Sequence, residues 1–276
     1  MKKKNNKFVT NFIISILVLS ILVPMITILI WVFTERWAWP DLVPQVFSTR
    51  ALREVLMRKE ELAKVFVSSI AISTVVAFCS AAIGIMTARA LVFYEFAGKK
   101  IISFLTILPF MVPGTVFAMG VQITFIKLGL NNTVVGVIIA HLICSLPYAV
   151  RLLMDGTRAV GNRLEEQARV LGASPFTAFF RTSLPMLVPV ILSAVSMSYI
   201  VSFSQYFLTL MIGGGNVKTF TIVMVPYLQS GNRNIACIYS VIFLAITLVV
   251  FGIFDWIAKC FMRNSSGDYC CGQAFL

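Results

Sequence analysis

Residues 164–190, LEEQARVLGASPFTAFFRTSLPMLVPV, hold the densest set of side chains in this chain that could do chemistry, and the chemistry is recognition rather than bond-breaking. Leu164, Ala168 and Leu171 fall at helical spacing on one face, with Glu165, Glu166 and Arg169 on the polar side. Gly172 sits where a helix ends in a residue of positive φ, which glycine adopts without steric penalty. Ser174 is placed as an N-cap and Pro175 as the first residue of a second short helix, where its missing N–H does no harm. Phe176, Phe179 and Phe180 then give that helix an apolar face, and three phenylalanines on a polar loop call for a surface to dock on.

Other reactive groups are scattered. Gly213-Gly-Gly-Asn-Val-Lys218-Thr219 resembles a phosphate-binding loop only superficially, since no glycine precedes the lysine and no strand leads into it. It reads as a turn. His141 stands in an apolar run without a Cys, His or carboxylate set around it, which suits a hydrogen-bonded packing histidine. Cys79, Cys144 and Cys237 lie in apolar runs, and Cys260, Cys270 and Cys271 follow the last one, with no metal-ligand spacing. A polar band crosses an otherwise apolar segment: Ser193, Ser196 and Tyr199, then Ser198, Ser202, Gln205 and Thr209. Two readings stay open for it, lining of a transport pathway or hydrogen bonding between helices. Ser68, Ser69, Ser73, Thr74 and Ser80 admit the same two.

The elements that must position these groups are membrane spans. Apolar residues make up 59% of the 276-residue chain and charged ones 12%, about half the charge of an ordinary soluble protein. Six runs approach the roughly 20 apolar residues a spanning helix requires: Phe12–Phe33, Leu62–Ala88, Ile101–Ile126, Val134–Val150, Met186–Ile212 and Asn234–Ile257. Pro109, Pro113 and Gly114 in the third and Pro147 in the fourth interrupt regular helix geometry. The fold class expected is an all-α integral membrane protein with six transmembrane helices and a cytoplasmic coupling-helix loop between helices 4 and 5. MKKKNNK ahead of the first run reads as an uncleaved signal-anchor that keeps the N-terminus in the cytoplasm. Alternation of sides then puts 14 of the 23 Lys and Arg inside. The net charge of +12 is orienting charge, not a nucleic-acid surface. Residues 48–61, in the first external loop, have the pattern of an amphipathic surface helix.

With the loop placed inside, its residues resemble a known family. The pattern E-A-A-x3-G-x9-I-x-L-P marks the inner-membrane permeases of binding-protein-dependent (type I) ABC importers. Here it reads Glu166-Gln167-Ala168, Gly172, Thr182, Leu184-Pro185, with Gln167 for alanine and Thr182 for isoleucine. Leu108-Pro109, Pro113-Gly114, Ser145-Leu-Pro147-Tyr148 and Ser202-Phe-Ser-Gln205 extend the resemblance over about residues 62–257. It implies an ATPase-coupling loop, with Glu166, Ala168, Leu171, Gly172, Phe176, Phe179, Leu184 and Pro185 fitting a cleft on a separate ATPase subunit like a ball in a socket. It implies a second permease subunit, identical or related, and an extracytoplasmic solute-binding protein that lands on the external loops. Ser198, Ser202, Gln205 and Thr209 are the possible pathway lining. No cofactor is expected on this chain, because ATP belongs to the partner ATPase. The subfamily resembled serves polyamines, thiamine, ferric iron and similar solutes in the bacterial cytoplasmic (inner) membrane. Its polyamine members often carry an acidic pair where this chain has Ser204-Gln205, which weighs against a polycation.

The expected organisation is a basic cytoplasmic segment over 1–11, a permease domain over 12–258 and a disordered cytoplasmic tail over 259–276. The rival reading is an ion-coupled secondary transporter, which would need carboxylates inside the membrane to carry the coupling ion; apart from Asp255 at the end of the last run, the spans offer almost none. A membrane-embedded enzyme would need a catalytic set that the sequence does not display.

Overall fold

The computed structural model describes residues 2–38 and 40–271, the side chains of 2–9, 110 and 261–271 excepted. The fold is helical apart from one two-stranded ribbon. In chain order the elements are α1 Lys2–Val32, β1 Thr34–Arg36, β2 Val46–Phe47, α2 Arg50–Met57, α3 Lys59–Phe93, α4 Lys99–Leu105, α5 Leu108–Met111 and α6 Gly114–Lys127. They continue as α7 Val134–Val160, α8 Arg163–Val170, α9 Pro175–Ala178, a π-helical turn Phe179–Ser183, α10 Leu184–Phe203, α11 Phe207–Gly213, α12 Phe220–Gln229 and α13 Arg233–Cys271. Among the described residues, five helices are long and apolar enough to cross a membrane: Thr10–Val32 of α1, α3, α7, the stretch Pro175–Phe203, and Arg233–Cys260 of α13.

The expected third span is the exception. Instead of one helix over Ile101–Ile126 there are three short ones, α4, α5 and α6. One of the breaks falls at Pro113. Pro113 forces the residue before it out of the helical region, and Val112 is extended at φ −93°, ψ 130°. The expected fifth span is also divided, between α10 and α11 at Ser204–Tyr206. By contrast α7 runs unbroken through Pro147 and ten residues past the expected end, to Val160. Of the expected tail, α13 continues to Cys271, and residues 272–276 lie outside the described residues.

The chain divides into two compact units. The first takes the residues up to Ala63 together with Val223–Ile246. Along α1 the apolar side chains from Phe12 to Ile26 stay exposed on all faces, as lipid-facing side chains do. β1 and β2 pair antiparallel, Thr34 opposite Phe47 and Arg36 opposite Val46. Trp31 and Trp37 stack at 5.3 Å, and the Arg233 guanidinium lies 5.5 Å over Trp31. The expected amphipathic segment is α2, which buries Val55 and exposes Leu56 and Met57. Arg58 donates to the Tyr227 hydroxyl at 3.0 Å.

The second unit, Lys64–Ile222 with the chain from Thr247 onward, holds the packed interior. α10 lies along α7. The two approach closely because Gly156 faces Val190: a Cβ on Gly156 would stand 2.7 Å from the Val190 Cγ1. Helices that pack inside a membrane gain from such small-residue contacts, since lipid gives no hydrophobic drive to associate. Gly84 similarly seats α3 against Ala149 and Leu153 of α7. Apolar clusters tie the helices together. Ile72, Val76, Ala118, Phe125, Val137, Ala140, Leu208 and Ile212 join α3, α6, α7 and α11. Ala88, Leu91, Ala149, Val150, Leu153 and Ala194 join α3, α7 and α10.

Candidate coupling loop and polar cluster

Between α7 and α10 the chain builds two short helices about a glycine hinge. Gly172 adopts φ +92°, and its N–H and that of Ala173 return to the Arg169 and Ala168 carbonyls, closing α8. The Ser174 hydroxyl accepts from Thr177 N at 3.2 Å and caps α9, with Pro175 in the first turn. The π-helical turn then carries the chain straight into α10, where Leu184 and Pro185 are the half-buried first residues. One side of the loop points away from the protein: Leu171 is 88% exposed, Val170 87% and Phe176 79%, with Phe180 also exposed. Val170 and Leu171 close a helix, α8, that is otherwise mostly polar.

The remaining loop residues do something else. Glu166 is exposed and accepts from the Asn162 amide at 2.6 Å, while Ala168 is half-buried. Glu165, its neighbour, turns inward. Its carboxylate takes both hydrogen bonds of a bidentate pair from Arg89, at 2.7 and 2.8 Å. Burial pushes the Glu165 carboxyl up, but the Arg89 hydrogen bonds and the charges of Arg89 and Arg169 outweigh it and hold the group below the usual carboxylate range. The same guanidinium lies 4.3 Å over the Phe179 ring and 5.4 Å over Phe93. Phe179 also meets Phe180 edge-on at 5.3 Å, so only part of the phenylalanine trio faces outward. Sequence reading missed the Arg89–Glu165 pair. The available signal was a charge on each side of the loop expected to face inward, and 76 residues separate them.

The polar band falls into two groups. His141 on α7 is buried, with Nδ1 2.9 Å from the Ser202 hydroxyl and Nε2 2.8 Å from the Thr209 hydroxyl. Ser202 donates onward to Ser73 of α3. The Thr209 hydroxyl also donates to the Gln205 carbonyl at 2.8 Å, so with its one proton placed there it accepts from Nε2–H of a neutral imidazole. The carbonyl of Gln205, freed where α10 breaks, accepts from Thr221 at 2.9 Å. Ser80 and Ser145 pair at 2.6 Å, again between α3 and α7. Ser198, Ser202 and Thr209 are therefore buried between helices in this conformation. Gln205 alone of the four borders a cavity of about 390 Å³, with Pro109, Gly114, Thr115, Cys144 and Tyr148. None of the residues around it is charged. Ser193 and Ser196 border a second cavity of about 210 Å³ that also holds Asp255, itself paired with Lys259 at 2.6 Å.

The Gly213–Thr219 segment is a turn. Gly214 and Gly215 both have positive φ, and a Cβ on Gly214 would collide with the Asn132 side chain.

Comparison with known proteins bears on the chain's family. Residues 80–263 match the family described as binding-protein-dependent transport system inner membrane component. The chain is 29% identical over 190 residues to the molybdate/tungstate transport system permease protein of Pyrococcus abyssi, covering 69% of this chain and 76% of the relative. It is 24% identical over 224 residues to the spermidine/putrescine transport system permease protein of Escherichia coli K12, covering 81% and 84%. Among solved structures it resembles a chain of a bacterial ABC transporter that imports the acidic polysaccharide alginate, with a TM-score of 0.68 at 17% identity over 92% of this chain and 97% of that one.

Proposed function

The chain belongs to the binding-protein-dependent transport system inner membrane components, and from that premise we propose that residues 164–185 couple it to a separate ATPase. It is a permease subunit of an ABC importer, a multi-pass protein of the inner membrane. The observation that carries the coupling role is the exposure of Leu171 and Phe176 on a capped helix–glycine–helix loop. Burying the two side chains in a socket would gain on the order of 3–6 kcal/mol before the costs of association. The loop lies on the cytoplasmic side with both termini, following the lysine-rich start. In this reading α4, α5 and α6 together make the sixth crossing. A second permease subunit completes the pathway, and a solute-binding protein delivers substrate on the outside.

The solute is small. Relatives are named for molybdate/tungstate and for spermidine/putrescine. The uncharged lining around Thr115, Tyr148 and Gln205 suits a polar solute and offers no carboxylate to a polycation.

The test is co-purification of the tagged chain from detergent-solubilised membranes, wild type beside Leu171→Glu and Phe176→Glu. Both side chains touch little of the chain itself, so insertion should survive. An ATPase subunit retained by wild type and lost from both inserted variants supports docking. Full retention by the variants removes the loop from the contact.

A further inference from the structure

The loop is joined to α7 and α10 through the backbone, and to α3 through side chains. That second connection converges on one residue. Arg89 lies one helical turn before the end of α3 and gives both arms of its guanidinium fork to Glu165, on α8 before the Gly172 hinge. The flat face of the fork covers Phe179, in the π-helical turn beyond the hinge. One cation thus holds both halves of the loop to one point of α3, while Val170, Leu171 and Phe176 face away from it. The pair is mostly enclosed, with side chains 20% and 12% exposed, where solvent screens little.

From Arg89 the helix leads into the membrane interior. Gly84 rests against Ala149 and Leu153, Ser80 meets Ser145, and Ser73 receives the Ser202 hydroxyl beside the break in α10. The sixteen residue-to-residue steps from Arg89 to Ser73 span ~24 Å of continuous helix. The backbone route into α10 begins with a π-helical turn.

We propose that Arg89 is a positioning residue for transport: with Glu165 and Phe179 it converts movement of the docked loop into movement of α3, and so into rearrangement of the helices around the Gln205 cavity. This rests on the docking reading of the loop. Arg89 touches no ATPase and no solute; it acts through Glu165. Lysine would keep the charge but lose the bidentate fork and the flat stacking face.

The experiment uses the complex purified from native membranes and placed in nanodiscs. Cys144, which borders the cavity, is kept as the single cysteine, with Cys79, Cys237, Cys260, Cys270 and Cys271 changed to serine. The readouts are ATPase retention, ATP hydrolysis, and the rate at which N-ethylmaleimide labels Cys144 with ADP or with ATP and vanadate. The background chain should retain its ATPase and label at different rates in the two nucleotide states. Arg89→Gln and Glu165→Gln should keep the ATPase and its hydrolysis but lose that difference. Arg89→Lys should recover part of it, and the charge swap Arg89→Glu with Glu165→Arg more. The inference is overturned if Arg89→Gln keeps the full nucleotide response. It is equally overturned if the variant sheds the ATPase, because the pair would then shape the docking surface rather than transmit from it. A background chain that never retains an ATPase brings down the docking reading first, and this inference with it.

Discussion

Gly172→Ala isolates what the hinge contributes. The residue has φ +92°, and a Cβ built there meets no heavy atom within 4 Å. Collision with the protein therefore contributes nothing, and the whole cost is the left-handed conformation itself, about 1–2 kcal/mol for a residue with a Cβ. That amounts to a roughly 5–30-fold smaller population of the competent loop. Asparagine, which enters the left-handed region more readily, should cost less than alanine, and valine, β-branched, more. The assay is titration of the purified ATPase subunit onto the nanodisc-held chain, with the dissociation constants compared across Gly, Asn, Ala and Val. The expected order of affinity is Gly, Asn, Ala, Val, with alanine within the stated range. Alanine equal to glycine would mean that the docked loop abandons positive φ. Asparagine as poor as valine would mean that the partner presses on the Cβ position, and the purely conformational account would fail.

Phe176→Ala should weaken the same contact by about 10- to 100-fold, from the ~1.5–3 kcal/mol that burying such a side chain supplies, and leave the isolated chain's thermal unfolding unchanged. An equal loss of thermal stability would place the ring inside the fold instead. Gly156→Ala should lower the unfolding temperature in detergent, because overpacking against Val190 at 2.7 Å costs about 1–3 kcal/mol. Adding Val190→Ala should restore much of it, and an unchanged single variant would refute the close crossing. For Glu165, the folded carboxyl lies below its unfolded value. Its stabilisation is complete above the ordinary glutamate pKa of about 4.3 and disappears as pH falls through the lower folded value. Stability differences between wild type and Glu165→Gln should therefore stay flat from about pH 5 to 8 and close only in acid. A difference that closes near neutrality contradicts the ion pair.

Much of the loop was legible because its signals are local. Gly172 sets a backbone angle, Ser174 caps a neighbour three residues on, and Pro175 starts a helix, all without help from the rest of the fold. Five long apolar helices were legible for a similar reason, since lipid demands continuous apolar length whatever the packing. The third span, expected as one run with interrupted helix geometry, is three short helices. Pro109 and Pro113 were visible, but how far a proline interrupts a membrane helix depends on its neighbours: α7 continues through Pro147, and the chain before Pro113 does not.

Class, membrane setting and the architecture of the 164–185 loop were thus determined by the sequence itself, through apolar length, capping and one glycine of positive φ. Which polar groups meet was decided by tertiary structure alone. Arg89 and Glu165 are 76 residues apart, and His141 lies 61 and 68 residues from Ser202 and Thr209. Inside the membrane a hydroxyl or an imidazole takes whatever partner the helix crossings bring within about 3 Å. Those crossings are set by small residues such as Gly84 and Gly156, whose effect exists only once two helices lie against each other.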